Sequence, residues 1–545
     1  MIVLFFGNLN KLGGQAPLRV EPTQQDLDSI HPIDKNLGVF LVEPDAAEPT
    51  GVGMGCHENI YLEGWPIIQG NIMFEGHNTH AIGNVGFTTG KESVATSQGL
   101  GDRNKHLYIW SNTGDLVFDD IGNYYFINHV PSLANLDSDE SLEIVIGANG
   151  SFIIDDGIIN QISSGYLSGY RPVVLSDINN DGAIDIIEIE AARNAIQRVF
   201  IHVRDKFGND LEGWPVEPLN QFNTVLYSSI AVGDLENDGG KEIVIQLNNG
   251  QLCNDDSPTV FVYNSNGSLK WSYQSPYNEG GIYCPSSSNN LYYNDVALGD
   301  VDSDGFLEVV YFQAQHVFDN EKSHFFVFDH LGNIQAQWDI DREESYFFNE
   351  AMQQIALGDL DKNGDLEIVV TGLTDCQEGG CLRSHTFAFN HDGSLLPGFP
   401  ANVPEEFTSQ DRTTAPMIAD VDGDGFPEII SSLYDRRNNY YNRIYAWDRF
   451  GQLLDCWPKE LIRQSGTSQI ALVFNSQTTL VDLDMNGNID LIAPIGSAES
   501  HGIDLGFPVA KMEWPMYRHD PGRTGCYECL GKKPKKVNVS EISIP

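Results

Sequence analysis

Basic residues are scarce in this chain: 31 Lys+Arg stand against 77 Asp+Glu over 545 residues, a formal net charge of −46. So acidic a surface repels phosphate backbones and anionic headgroups, which argues against nucleic acid as a partner. No apolar run reaches the roughly 18 residues that suggest a membrane-spanning helix, so no membrane insertion is expected. The opening run Ile2-Val3-Leu4-Phe5-Phe6 is too short for a signal-peptide core and has no basic flank. The expectation is that a leader has been removed or that the sequence begins within a longer gene. Long helical periodicity is missing. So are Gly-x-Ser-x-Gly, Walker, His-Glu-x-x-His and dinucleotide-binding glycine motifs, and no catalytic residue or organic cofactor site is assigned. Hydrophobic residues nevertheless make up 41% of the chain, enough for a large core and against wholesale disorder.

Cysteine is sparse but even in number: Cys56, Cys253, Cys284, Cys376, Cys381, Cys456, Cys526 and Cys529. Cys376/Cys381 and Cys526/Cys529 lie close together in loop-like sequence, and Cys253/Cys284 bracket an insertion. Zinc would need a second pair beside Cys526-x-x-Cys529, and a thioredoxin-like site would need a βαβ context. With neither present, the reading is loop-stapling disulfides in an oxidising compartment, with free thiols as the alternative.

What is abundant is one acidic pattern. Seven segments share the order acid, apolar, acid, any, acid, Gly, two variable residues, acid, then a β-branched run. They start at Asn135, Asp177, Asp234, Asp300, Asp359, Asp420 and Asp482, between 42 and 66 residues apart. Recurrence at such a period is the signature of a repeat architecture. Around each loop the sequence reads as short strands: an apolar stretch such as Val296-Ala297-Leu298 before it, and Val309-Val310-Tyr311 after it. An aromatic alternation such as Phe325-Phe326-Val327-Phe328 follows, then a Gly turn, then a strand near Gly-Trp-Pro or a variant. Four strands per unit, repeated around an axis, predict an all-β fold, a β-propeller of seven or eight four-stranded blades. A worn copy at Gly83-Asn84-Val85-Gly86…Glu92-Ser93-Val94-Ala95 keeps the frame but lacks the acids.

Acids at positions 1, 3 and 5 of a tight loop aim their oxygens at one point, Gly at position 6 supplies the bend, and position 9 completes the set. Hard oxygen donors in a flexible loop favour Ca²⁺. The predicted ligands are Asn135, Asp137, Asp139 and Glu143; Asp177, Asn179, Asp181 and Asp185; Asp234, Glu236, Asp238 and Glu242; Asp300, Asp302, Asp304 and Glu308; Asp359, Asp361, Asn363 and Glu367; Asp420, Asp422, Asp424 and Glu428; and Asp482, Asp484, Asn486 and Asp490. Turn propensity alone accounts for one or two Asx residues per loop. It does not account for acids at four fixed offsets, which repel one another without a cation. An EF-hand needs a Glu at position 12 and flanking helices. Only Glu188 meets the first condition, and the flanks are strands. Glu140 replaces Gly at position 6 of the first loop, which makes that site the weakest of the seven.

These loops, the Gly-Trp-Pro strand ends, and Trp514-Pro515-Met516-Tyr517-Arg518-His519-Asp520 with Thr524-Gly525 resemble the integrin-α-type FG-GAP/VCBS repeat propellers in their bacterial secreted form. The resemblance covers roughly residues 80–525. It implies a calcium-loaded ring, secreted, periplasmic or at the cell surface, that displays loops for adhesion to a glycan or a surface protein. A calcium-dependent polysaccharide lyase or hydrolase is the enzymatic alternative, and a structural subunit of a surface assembly the third. His519-Asp520 reads as part of the closing seam rather than as an acid–base pair, and most tryptophans read as blade-packing core. Residues 76–530 are assigned to the propeller and the Lys-rich 531–545 to a tail or linker. Residues 1–75 are assigned to an N-terminal segment whose stretch near Ile60–Ile68 completes the last blade, with Trp65 and Trp514 expected at one seam. Asn149-Gly-Ser151, Asn266-Gly-Ser268 and Asn538-Val-Ser540 are possible glycosylation sequons.

Overall fold

A computed structural model describes residues 60–68, 79–98, 105–122, 130–137, 139–148, 150–163, 173–191, 198–218, 228–247, 260–275, 295–313, 323–340, 346–347, 354–375, 381–403, 407–408, 412–435, 441–462, 477–495, 499–509, 512–516, 518–520 and 523–527. They fold as eight antiparallel sheets, the blades of a β-propeller. Blade 1 is built from Ala81–Gly83, Glu92–Gln98, Lys105–Trp110 and Leu116–Gly122, so the worn copy is a full blade. Blade 2 runs Ser132–Ala134, Glu143–Ala148, Gly150–Asp155 and Ile158–Gln161. Blade 3 starts at Val174–Ser176, blade 4 at Ser228–Gly233, blade 5 at Asp295–Gly299, blade 6 at Ala356–Gly358, blade 7 at Met417–Ala419 and blade 8 at Thr479–Val481. The fourth strand of blade 3 is reduced to a bridge between Ile201 and Val216. The first strands of successive blades lie side by side, which places them at the centre of the ring.

The pattern that builds each blade is visible in its burial. Val309, Val310, Tyr311 and Phe312 are all fully buried, because a middle strand of a blade packs a neighbouring blade on each face. The outer strand Ile334–Ile340 alternates toward exposure, as an edge with one wet face should.

Blade 8 closes the ring with strands from both ends of the described chain. Ile60–Tyr61 and Ile67–Ile68 pair antiparallel with Glu499–Pro508, in the register Ile60 to Asp504 and Ile67 to Ser500. Trp65 packs between blades 8 and 1, beside Ile82, Trp110 and Leu483. Trp514 is elsewhere. It bonds both ways with Ile418 of blade 7 and packs on the core of blades 5 to 7, so the expected meeting of Trp65 and Trp514 does not occur. Deleting residues 1–70 would strip blade 8 of its outer strands and leave a bare sheet edge. The expected result is oligomer or aggregate on size-exclusion chromatography; a monomer with an unaltered melt would contradict it.

A second sequence feature ties blade to blade. The Trp-Pro and Phe-Pro bonds at 65–66, 214–215, 399–400 and 457–458 are cis, and at the first three the preceding glycine meets the Gly turn of the next blade. A Cβ on Gly213, which has φ +90°, would lie 2.0 Å from the Asn266 carbonyl oxygen, and one on Gly267 would lie 2.4 Å from that of Gly213. The tryptophan then caps the same turn: Trp214 Nε1 donates to the Ser265 carbonyl at 3.0 Å, and Trp65 Nε1 to that of Asn112 at 3.3 Å. Gly213→Ala should therefore destabilise the fold by about 2–4 kcal/mol through steric overlap and a disfavoured backbone region. Chemical denaturation measures this, and a loss no larger than at an exposed control glycine would contradict it.

The 8–1 seam also holds a buried histidine. His80 Nδ1 lies 2.6 Å from Ser93 Oγ of blade 1, and its Nε2 lies 2.7 Å from Ser500 Oγ of blade 8. Burial pushes its pKa down to about 3. An unfolded histidine titrates near 6.5, so between about 6.5 and about 3 the unfolded chain binds a proton that the fold refuses. The contribution is complete above pH ~6.5 and fades as pH falls toward 3, by about 1.4 kcal/mol per pH unit. His80→Gln should move the acid-unfolding midpoint to lower pH; an unchanged midpoint would contradict this account.

Among the cysteines, only Cys381, Cys456 and Cys526 fall in described residues; Cys56, Cys253, Cys284, Cys376 and Cys529 lie outside them. Neither Cys456 nor Cys526 is without a partner. Cys456, at φ 69°, takes the left-handed position that glycine fills in the other Gly-Trp-Pro copies. Residues 1–59 and 531–545, Tyr517, and the sequon residues Asn149 and Asn538 are outside the described residues.

Candidate metal centres

Each acidic loop joins the first strand of a blade to its second. The position-9 carboxylate opens the second strand and is buried; Glu308 and Asp490 are fully so. One of its oxygens accepts the backbone N–H of position 2: 3.0 Å from Ile178 to Asp185, 3.0 Å from Leu235 to Glu242 and 3.0 Å from Val301 to Glu308. The bond measures 2.7 Å from Leu360 to Glu367, 2.8 Å from Val421 to Glu428 and 2.7 Å from Leu483 to Asp490, and Leu136 makes it to Glu143. Position 1 accepts the N–H of the position-6 glycine, as from Gly182 to Asp177 at 2.9 Å and from Gly425 to Asp420 at 3.0 Å. Those glycines sit at positive φ, for example +99° at Gly305, a region side chains rarely adopt. Position 5 accepts the N–H of position 7, at 2.8 Å from Phe306 to Asp304. The chain thus wraps its amides onto the carboxylates and leaves the remaining oxygens facing one another.

In five blades three acidic side chains converge, with one oxygen of each within 4.8 Å of the others. The groups are Asp137, Glu143 and Asp155; Asp300, Asp302 and Asp304; Asp359, Asp361 and Glu367; Asp420, Asp422 and Glu428; and Asp482, Asp484 and Asp490. Oxygen-only donors of this kind can hold a hard cation. Glu143 Oε1, Glu308 Oε1, Asp359 Oδ1, Asp482 Oδ1 and Asp490 Oδ1 are buried without a hydrogen-bond partner in the protein. A buried, unpartnered carboxylate oxygen is costly, and a cation at the convergence point would satisfy it. Burial first, and then the neighbouring acids, push Glu428 up to about 9 and Glu308 up to about 8. Burial likewise raises Glu367 to about 8, and Asp185 and Asp490 to about 7. To be ionised at neutral pH, these groups need a positive partner.

The other predicted ligands fall into place unevenly. In blade 2, Asn135 turns its side-chain amide to the Asp139 carbonyl at 2.6 Å, and Asp139 accepts from the Ser141 N–H at 2.7 Å. Glu140, in the glycine position, is outside the positive-φ region. Asp155 from the end of the third strand takes up the third place beside Asp137 and Glu143. Sequence reasoning missed Asp155. The signal available was an Asx residue at the same register in most blades: Asp155, Asp205, Asn264, Asp329, Asn390, Asp448 and Asp504. In blade 3, Asp177, Asp181 and Asp185 form no three-acid group among the described residues, and neither do the blade 4 acids.

The worn copy retains more than the sequence reading allowed. Glu92 occupies position 9, is fully buried, and accepts the Val85 N–H at 2.8 Å. Its other oxygen accepts the Thr88 N–H at 2.7 Å and the Thr88 hydroxyl, so both oxygens are satisfied by the chain itself. Gly86 and Thr88 stand where the other loops carry acids or amides at positions 3 and 5, and blade 1 gathers no three-acid group among the described residues.

The last described stretches, residues 512–516, 518–520 and 523–527, lie across the ring centre. Their backbone bonds the first strands of blades 7, 8, 4 and 5 at Ile418, Leu480, Val232 and Leu298. Arg518 donates to Asp295 at 2.6 Å, to Ser229 Oγ at 2.6 Å and to the Val296 carbonyl at 3.1 Å. Arg523, fully buried, donates to the Pro131 carbonyl beside blade 2 at 3.2 Å. His519 Nδ1 lies 3.5 Å from Asp520 Oδ2. Burial would raise Asp520, but its hydrogen bonds to His519 and Thr524 reverse this and hold it below the usual carboxylate range. The pair therefore belongs to a hub shared by several blades rather than to the closing seam alone.

No protein-family model matches the chain, and no curated protein matches it. Solved structures with related architecture include the V. cholerae biofilm matrix protein Bap1, 13% identical, with a TM-score of 0.49 over 84% of this chain and 94% of that one. BBS1N in complex with ARL6DN is 12% identical, with a TM-score of 0.35 over 76% of this chain and all of that one. A Synechocystis apocarotenoid oxygenase mutant is 8% identical, with a TM-score of 0.36 over 76% and 94%. The blade count rests on the strand pairing of this chain, which establishes an eight-bladed β-propeller whose edge loops can hold metal ions.

Proposed function

We propose that the chain is a calcium-stabilised β-propeller of FG-GAP/VCBS type that works outside the cytoplasm as a binding or adhesion module for a glycan or protein partner. The observation that carries this reading is the division of labour among its polar groups. Carboxylates are gathered in edge loops that suit Ca²⁺, and the His519–Asp520 pair and its arginines are consumed in the central hub. What remains for recognition is the outer surface of the loops. Blades 5 to 7 carry there a mixed aromatic and basic strip: Phe306 on His330 with ring centres 4.4 Å apart, Arg449 3.5 Å over Phe426 and 4.8 Å over Phe450, and Lys362 5.3 Å over Phe426. Stacked planar groups beside charge suit sugar faces and protein side chains alike. Disulfides among the cysteines fit an oxidising compartment.

The test is a glycan array of the calcium-loaded protein, with product analysis on the same polysaccharides. Binding without cleavage, weakened by Phe426→Ala or Arg449→Ala, is the expected result. Newly formed unsaturated ends would replace this reading with a lyase, and silence on both would favour an assembly subunit.

A further inference from the structure

The Asp234 loop of blade 4 differs from its neighbours in what faces its acids. Lys270, in the outer strand Leu269–Tyr273, reaches under the loop: Nζ lies 3.2 Å from Glu242 Oε1 and also pairs with Glu236 Oε2. The lysine and Glu242 side chains are 12% and 5% exposed, so this is an enclosed ion pair rather than a surface one. Glu242 Oε1 has the role of the oxygen left without a partner in Glu143 and Glu308. The other two acids are used by the loop: Asp234 accepts the Asp238 N–H at 3.0 Å and the Gly239 N–H at 2.8 Å, and Asp238 accepts the Gly240 N–H at 2.9 Å.

Two sequence positions are special to this blade. Counting six residues on from the head of each Gly turn gives Val117, Leu211, Lys270, Gln335, Leu396 and Leu454. Only blade 4 places a cation there. Position 3 of the loop is Asp or Asn in every other acidic copy but Glu236 in blade 4, and the extra methylene carries the carboxylate to the lysine. We propose that the Lys270 ammonium is the resident cation of the blade 4 loop, so that this loop, though its sequence matches the metal pattern, takes no divalent ion. The ammonium supplies one charge and three donors to the place where a calcium ion would supply two charges. This inference rests on the calcium reading of the other loops.

The experiment compares wild type, Lys270→Met and Glu236→Gln by calcium count per chain, using native mass spectrometry, and by melting in excess chelator. Lys270→Met should gain one calcium per chain and melt lower than wild type in chelator. Glu236→Gln should leave the count unchanged. An unchanged count in folded Lys270→Met, or the loss of one calcium in Glu236→Gln, would overturn the proposal. Should Lys270→Met fail to fold, the Glu236→Gln count decides alone. Should wild type bind no calcium, the calcium reading falls. The chelator melts then judge Lys270 separately: a lower melt for Lys270→Met upholds the ammonium as the loop's counter-ion, and equal melts reject it.

Discussion

Excess chelator should lower the melting midpoint by many degrees, and the chelated protein should be less stable at pH 8 than at pH 5. Without a cation the buried position-9 carboxylates hold their protons to about 9 at Glu428, about 8 at Glu308 and Glu367, and about 7 at Asp185 and Asp490. In the unfolded chain such groups titrate near 4. Between those limits the folded state binds more protons than the unfolded one, so apo stability is complete below about pH 4 and is lost as pH rises through the folded values. Each group contributes at most about 1.4 kcal/mol per pH unit across its own window. Calcium bound in the proposed sites should reverse the slope, because a cation favours the ionised ligands and releases their protons. Mg²⁺ should restore the melt poorly, since it demands stricter octahedral geometry and keeps its water. Thermal melts at pH 5 and pH 8, with and without calcium, give all four values. Equal melts with and without chelator, or a chelated protein that gains stability up to pH 8, would contradict the account.

The second large effect is expected at the hub. Arg518→Met leaves Asp295, only 1% exposed, without its guanidinium. Removing one partner of a buried ion pair typically costs about 3–5 kcal/mol. Asp295 keeps the Ser229 hydroxyl and the Ile355 N–H at 3.1 Å, so the lower end of that range is expected. Arg518→Met with Asp295→Asn should recover part of the loss, and a double-mutant cycle by chemical denaturation reads the coupling. Additive losses would mean that the pair is not coupled and that the segment merely lies across the ring. Truncation after residue 511 removes every hub contact at once and should abolish cooperative melting.

The acidic loops, the strand repeat and the Gly-Trp-Pro ends are local signals, and each was legible because its chemistry is complete within about ten residues. The closing strands were legible for a different reason: the last unit is too short to finish its own blade. What was illegible depends on contacts distant in sequence. Arg518 meets Asp295 across 223 residues, and His80 meets Ser500 across 420; nothing near either residue announces its partner. Asp155 and Lys270 were hidden differently. Both lie outside the nine-residue motif, on the third and fourth strands of their blades, and only strand register brings them to the loop. Glu92 was not read as a retained acid because Asn84, Gly86 and Thr88 stand at positions 1, 3 and 5 of its loop, although the buried hydrogen bond it accepts from the Val85 N–H is the feature that all eight copies share.

Calcium bound per chain, counted by native mass spectrometry after chelation and reloading, tests the central claim most directly. Five ions are expected, one for each converging acid group among the described residues, with blades 1, 3 and 4 taking none. A folded, cooperatively melting protein that binds no calcium would contradict the account.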